Sequence, residues 1–141
     1  MLNKITDEIS LAINYEFGDG YEIYTESVEQ GLQEPCFSIV CLNPTIEQFF
    51  GDRYYRTNMF CIHYFPSSVE PTAECNTVFE RLFRALEYIT VDEDPVRGTN
   101  IHGEYADGML HVYANYNMYV YKDTVREDSM ENVAYNTGVK G

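Results

Sequence analysis

The residues with the broadest chemistry in this chain are three histidines, His63, His102 and His111, and four cysteines, Cys36, Cys41, Cys61 and Cys75. Imidazole and thiolate together suggest zinc, which takes three or four such ligands in a tetrahedron. Cys61 and His63 stand two apart in a strand pattern and so share a face, which permits two ligands. No second close pair completes the set and no Cys-x-x-Cys occurs, so no metal is assigned and these side chains are read as packing. Asp92, Glu93 and Asp94 could offer oxygens to calcium or magnesium, but the loop lacks the twelve-residue pattern with a central glycine and a closing glutamate. They read as an exposed acidic turn. No Gly-x-Ser-x-Gly elbow exists, and a strand-buried cysteine is more often inert than activated. Gly18-Asp19-Gly20 precedes a strand, where a dinucleotide fingerprint would open a helix. The reading is therefore a non-enzymatic chain with no cofactor.

Hydrophobic spacing supplies the elements that carry these residues. Leu2, Ile5, Ile9, Ala12, Ile13 and Phe17 recur at helical intervals, and Gly18-Asp19-Gly20 closes that helix. Tyr21 to Thr25 starts a first strand, and Glu29 to Pro35 reads as an irregular acidic stretch. A second strand runs from Cys36 to Leu42 and is stopped by Asn43-Pro44; a third, Met59 to Phe65, puts Phe60, Ile62 and Tyr64 on one face. Pro71 opens a second helix whose stripe is Val78, Phe79, Leu82, Phe83, Leu86 and Ile89. Asn100 to Ala106 leads to Asp107-Gly108, a strong two-residue hairpin signal. In the strand beyond it, Leu110, Val112, Ala114, Tyr116, Met118 and Val120 alternate with His111, Tyr113, Asn115, Asn117, Tyr119 and Tyr121. The expected fold is α+β, a mostly antiparallel sheet with two main helices packed on one face. Residues 1–121 form a single domain in this reading, and 122–141 form a C-terminal tail, flexible or ordered on assembly.

Two surfaces remain that this core does not absorb. The connection from Asn43 to Asn58 carries Phe49, Phe50, Tyr54 and Tyr55 among Glu47, Asp52, Arg53 and Arg56, an aromatic arm that suits a partner surface. The Tyr113, Tyr119 and Tyr121 face of the last strand has similar character, unless those rings lie beneath the helices. The candidate interface is thus Phe49, Phe50, Arg53, Tyr54, Tyr55, Arg56, Tyr113, Tyr119 and Tyr121.

Composition narrows the partners. At 141 residues one core suffices, since a domain of this size hides roughly 70% of its unfolded surface. Nine basic against 23 acidic residues give a net charge of −14, which excludes a phosphate-gripping groove, yet an acidic wall can let DNA pass without holding it. The first residues lack a secretory leader, and no stretch is apolar enough to span a bilayer, so folding in a reducing cytoplasm is expected.

Several stretches in order resemble the phage tail terminator family of phages and prophages of Gram-positive bacteria. They are Glu29 to Phe37, Cys41-Leu42-Asn43-Pro44, Gln48-Phe49 with Gly51-Asp52-Arg53-Tyr54, Ala73-Glu74-Cys75-Asn76 with Glu80-Arg81-Leu82, and Asn136 to Gly141. The resemblance implies a virion tail protein, assembled in the host cytoplasm, whose copies form a ring, read as a hexamer. That ring would cap the tail tube, end its polymerisation and meet the head-tail connector, while the genome slides through without specific binding. The rival readings are a head-completion or neck protein, which gene order would distinguish, a small hydrolase built on His63 or His111, and a free-standing binding adaptor.

Overall fold

The computed structural model describes residues 1–26 and 31–121; the tail assigned to 122–141 lies outside the described residues. The elements in chain order are α1 (Leu2–Phe17), β1 (Glu22–Tyr24), β2 (Cys36–Phe50), β3 (Arg53–Phe65), α2 (Pro71–Leu86), β4 (Tyr88–Val91), β5 (Asp94–Arg97), β6 (Thr99–Ala106), β7 (Met109–Asn115) and β8 (Met118–Tyr121). The main sheet has the order β1-β2-β3-β7-β6, with β8 also on β3, and β4-β5 form a separate hairpin. Only the β1-β2 pair is parallel, so the fold is the expected α+β with a mostly antiparallel sheet.

Both helices cover the same face. Ile5, Ile9, Ile13 and Phe17 recur every fourth residue and are buried along α1, and Cys75, Val78, Leu82 and Leu86, at steps of three and four, are buried along α2. They close on Phe37, Phe60, Ile62, Tyr64, Val112 and Ala114 of the sheet. Each such aliphatic side chain contributes about 1.5–3 kcal/mol by leaving water. Gly18, at φ 86°, ends α1 and donates its N–H to Asn14 O at 2.8 Å. Arg81 lies over the Phe17 ring, 4.2 Å from its centroid, and bonds Glu16 Oε2 at 3.2 Å, tying α2 to α1.

Two expectations need correction. Ile89 is not on the second helix: α2 ends at Leu86, and Ile89 is buried in β4. Asp92 and Glu93, both at positive φ (52° and 70°), make a two-residue turn that folds β5 back on β4, and a hairpin there buries Ile89 and Val91 against the core. The second correction concerns Asn43-Pro44, which does not stop the second strand. The strand bulges there, with Asn43 at φ 45° and one extra residue between Leu42 and Thr45, and then pairs on to Phe50. Proline is tolerated because, among the described residues, β2 has no neighbour on its other side beyond Ser38.

The aromatic connection is therefore the outer half of one long β2-β3 hairpin. Its two-residue turn places Gly51 first, at φ 58°, the position where II′ hairpin turns demand glycine. The last strand was read as continuous from Leu110 to Tyr121, and the structure interrupts it at Tyr116-Asn117 while keeping the register, with Met59 opposite Asn115 and Arg56 opposite Met118. Fully buried Asn58 bridges the gap. Its Nδ2 donates to Tyr116 O at 2.8 Å, its N–H donates to Asn117 Oδ1 at 3.0 Å, and its own carbonyl accepts the Tyr116 N–H at 2.8 Å. The buried Tyr116 hydroxyl in turn donates to Leu86 O at 2.5 Å, so the hairpin tip is keyed to the end of α2.

Candidate functional site

Alternation along β3 and β8 decides which tip residues share a face. Arg53, Tyr55, Tyr119 and Tyr121 are odd-numbered and face away from the helices, with Arg53 opposite Tyr121 and Tyr55 opposite Tyr119. The register shift between Leu42 and Thr45 turns the odd-numbered residues of β2 to the same side, Phe49 among them, and a second shift, between Gln48 and Phe50, sets Phe50 opposite Arg53. The Phe49 and Tyr119 rings meet edge to face at 5.0 Å, and Tyr55 and Tyr119 stand 4.8 Å apart. The Arg53 guanidinium covers both ends of this cluster, 5.7 Å from the Phe49 centroid and 5.1 Å from that of Tyr119. A cation over aromatic faces holds the rings in place without burying them. Phe49, Phe50, Tyr119 and Tyr121 stay more than half exposed.

The two surfaces singled out in the sequence are thus one surface. Phe49, Arg53, Tyr55 and Tyr119 touch, and Phe50 and Tyr121 flank them on either side of Arg53. Tyr54 and Arg56 lie on the opposite, helix-side face; Tyr54 is half-buried opposite Val120 and Arg56 is buried opposite Met118. Tyr113 sits six residues back from Tyr119, about 20 Å along the strand, stacked on His102 at 5.0 Å.

A second apolar patch escaped the sequence reading. Leu11 and Tyr15, one helical turn apart on α1, are 61% and 92% exposed and line a groove with Arg84, Tyr88 and Ile89. Leu11 falls off the helix stripe, and that was its signal: an aliphatic residue on the solvent side needs a reason.

On the body of the outer face, Ser38, His63, His111 and Glu104 stand opposite one another across β2, β3, β7 and β6. Cys61 Sγ lies 3.5 Å from His63 Nε2, and the His63 and His111 rings are perpendicular at 4.8 Å. Spacing along the chain pairs Cys61 with His63 on one strand; the register adds His111 from its neighbour. Burial pushes the Cys61 thiol up to about 11, and burial followed by the nearby His111 pulls His63 below its ordinary value. Cys36, Cys41 and Cys75 are also raised, first by burial. A thiol held above its ordinary value is a poor nucleophile. No hydrogen bond joins Ser38 to His63 among the described residues. No helix among the described residues is long and apolar enough to cross a membrane.

The geometry thus offers two exposed aromatic and apolar surfaces. Among curated proteins no match was found. The family model described as phage tail terminator protein matches residues 4–128, which takes in both helices, the whole sheet and the hairpin tip. The chain belongs to the phage tail terminator proteins, a family of structural proteins of the phage tail.

Proposed function

We propose that copies of this chain form a ring, read as a hexamer, on the finished end of the tail tube, where the ring ends polymerisation and presents a joint to the head-tail connector. The observation that carries this is the Arg53-centred aromatic cluster at the end of a hairpin, exposed and rigidly backed by three strands. Isolated water-facing rings are ordinary, but a contiguous cluster of them suits a partner. A ring needs two different patches, each meeting the other on the next copy. The tip supplies one, and the groove of Leu11, Tyr15 and Tyr88 supplies the other. The net charge of −14 suits a channel through which DNA passes without being gripped. In this reading the chain is not an enzyme; its partners are its own copies, the tube protein and the connector, and it assembles in the host cytoplasm.

The test is the mass of the purified protein in solution together with negative-stain images of its mixture with tail tubes. Closed oligomers and capped tube ends are expected. A strict monomer that leaves tube ends bare refutes the proposal, and a stable complex with the head connector but not with tubes favours a neck protein.

A further inference from the structure

We propose that Cys61, His63 and His111 form a three-ligand site on the uncovered face of the sheet for a zinc-class divalent cation, with the fourth position open to water. This is independent of the tail role, since it rests on the sheet's own register.

The ligand atoms of the three residues all lie within 4.8 Å of one another. Metal-sulfur and metal-nitrogen bonds of about 2.3 and 2.0–2.1 Å in a tetrahedron set ligand separations of about 3.3–3.6 Å. The Cys61-His63 separation of 3.5 Å already meets that requirement. His111 has to close by about 1 Å, which a small turn of a half-buried imidazole supplies. These ligands come from the centres of adjacent strands in unbroken register, His63 opposite His111, so the backbone holds them together before any ion arrives. Cys61 is 2% exposed whereas both histidines are half-buried, which leaves the cation approachable from outside.

The surroundings fit a metal centre as well. Glu104 is exposed and stands opposite His111 on β6, so a carboxylate borders the site. Tyr113 stands opposite Cys61 on β7, on the same face of the sheet, where a phenol hydroxyl suits an outer contact to a ligating thiolate. His102 does not join: its Nδ1 lies 2.8 Å from Asn100 O and its ring stacks on Tyr113. One thiolate with two imidazoles selects zinc, copper or nickel over magnesium and calcium, which prefer oxygen. Two β strands pinned at their midpoint would be the structural consequence.

Cobalt(II), which zinc-type sites accept and which is visible, tests this on the reduced full-length protein. One equivalent should produce a thiolate-to-cobalt charge-transfer band and tetrahedral visible bands, both displaced by zinc. Cys61→Ser should abolish the charge-transfer band, His63→Ala and His111→Ala should each weaken binding at least tenfold, and His102→Ala should change nothing. Zinc should also raise the melting temperature of the unmutated protein by mass action, a readout that needs no variant to fold. No charge-transfer band at one equivalent, a band that survives Cys61→Ser in a folded variant, or an unmoved melting temperature overturns the site.

Discussion

Phe50→Ala separates the fold of the subunit from its assembly. Phe50 is 77% exposed at the hairpin tip, so the ring has hidden less than a quarter of its area in its own subunit. An aromatic side chain presents about 200 Å², and apolar area removed from water is worth about 25 cal/mol per Å². The subunit therefore loses about 1 kcal/mol of folding stability on truncation, whereas a junction that covers the exposed part loses about 4 kcal/mol. At 1.4 kcal/mol per decade that weakens each junction roughly 1,000-fold. Sedimentation across a concentration series reads the assembly, and urea unfolding of the same samples reads the fold. Val69→Ala is the control, since Val69 is 98% exposed but lies outside both patches. If Phe50→Ala assembles at the same concentration as the unmutated chain, the tip is not the contact. If its urea midpoint collapses with assembly, Phe50 belongs to the core and the area argument fails.

Three further outcomes follow from the interior. Gly98→Ala should cost about 1–3 kcal/mol in urea unfolding, because its Cβ would lie 2.4 Å from Leu86 O and 3.1 Å from the Tyr116 ring; Gly103→Ala should cost less, since the obstacle there is the Phe79 side chain, which can move. Glu74 accepts hydrogen bonds from Tyr64 Oη and from the Ser67 and Ser68 N–H groups, and these outweigh burial and hold its carboxyl below its ordinary 4.5. That stability is present above pH 4.5 and lost as pH falls through the depressed folded value, so melting temperature should drop more steeply below pH 4.5 in the unmutated chain than in Glu74→Gln. Asn58→Ala removes the bridge to Tyr116 and Asn117, should cost about 1–3 kcal/mol, and should speed amide exchange in β8 ahead of β7.

What could be read from the chain followed the range of the physics. Leu110 to Val120 alternates because neighbouring residues of a strand face opposite ways, a local rule, and the helix-covered face came out as that pattern predicts. Ile89 looks helical because it continues the three- and four-residue spacing beyond Leu86, and only the return of β5 makes a strand the better way to bury it. Asn43-Pro44 looked like a stop because proline lacks an N–H; whether that matters depends on a neighbouring strand, which the chain does not announce. Gly51-Asp52 between aromatic runs is itself a hairpin signal, and an arm reading of the segment does not use it. The His63-His111 pair was invisible because 48 residues separate them and only the β3-β7 register brings them face to face.

The same register explains why the tip should dock through side chains and not by adding a strand. Beyond Ser38, β2 is an edge among the described residues, and a long regular edge invites any passing strand to pair with it. Here the ladder is offset twice, between Leu42 and Thr45 and between Gln48 and Phe50, and Pro44 removes one donor. An incoming backbone would meet groups out of step at both places. The first offset has an opposite effect on the side chains, since it turns the odd-numbered residues of β2 beyond it, Phe49 among them, onto the face of Arg53 and Tyr119. One irregularity thus spoils the edge for unselective pairing and completes the aromatic patch, so the proposed partner would have to match the shape and charge of that patch.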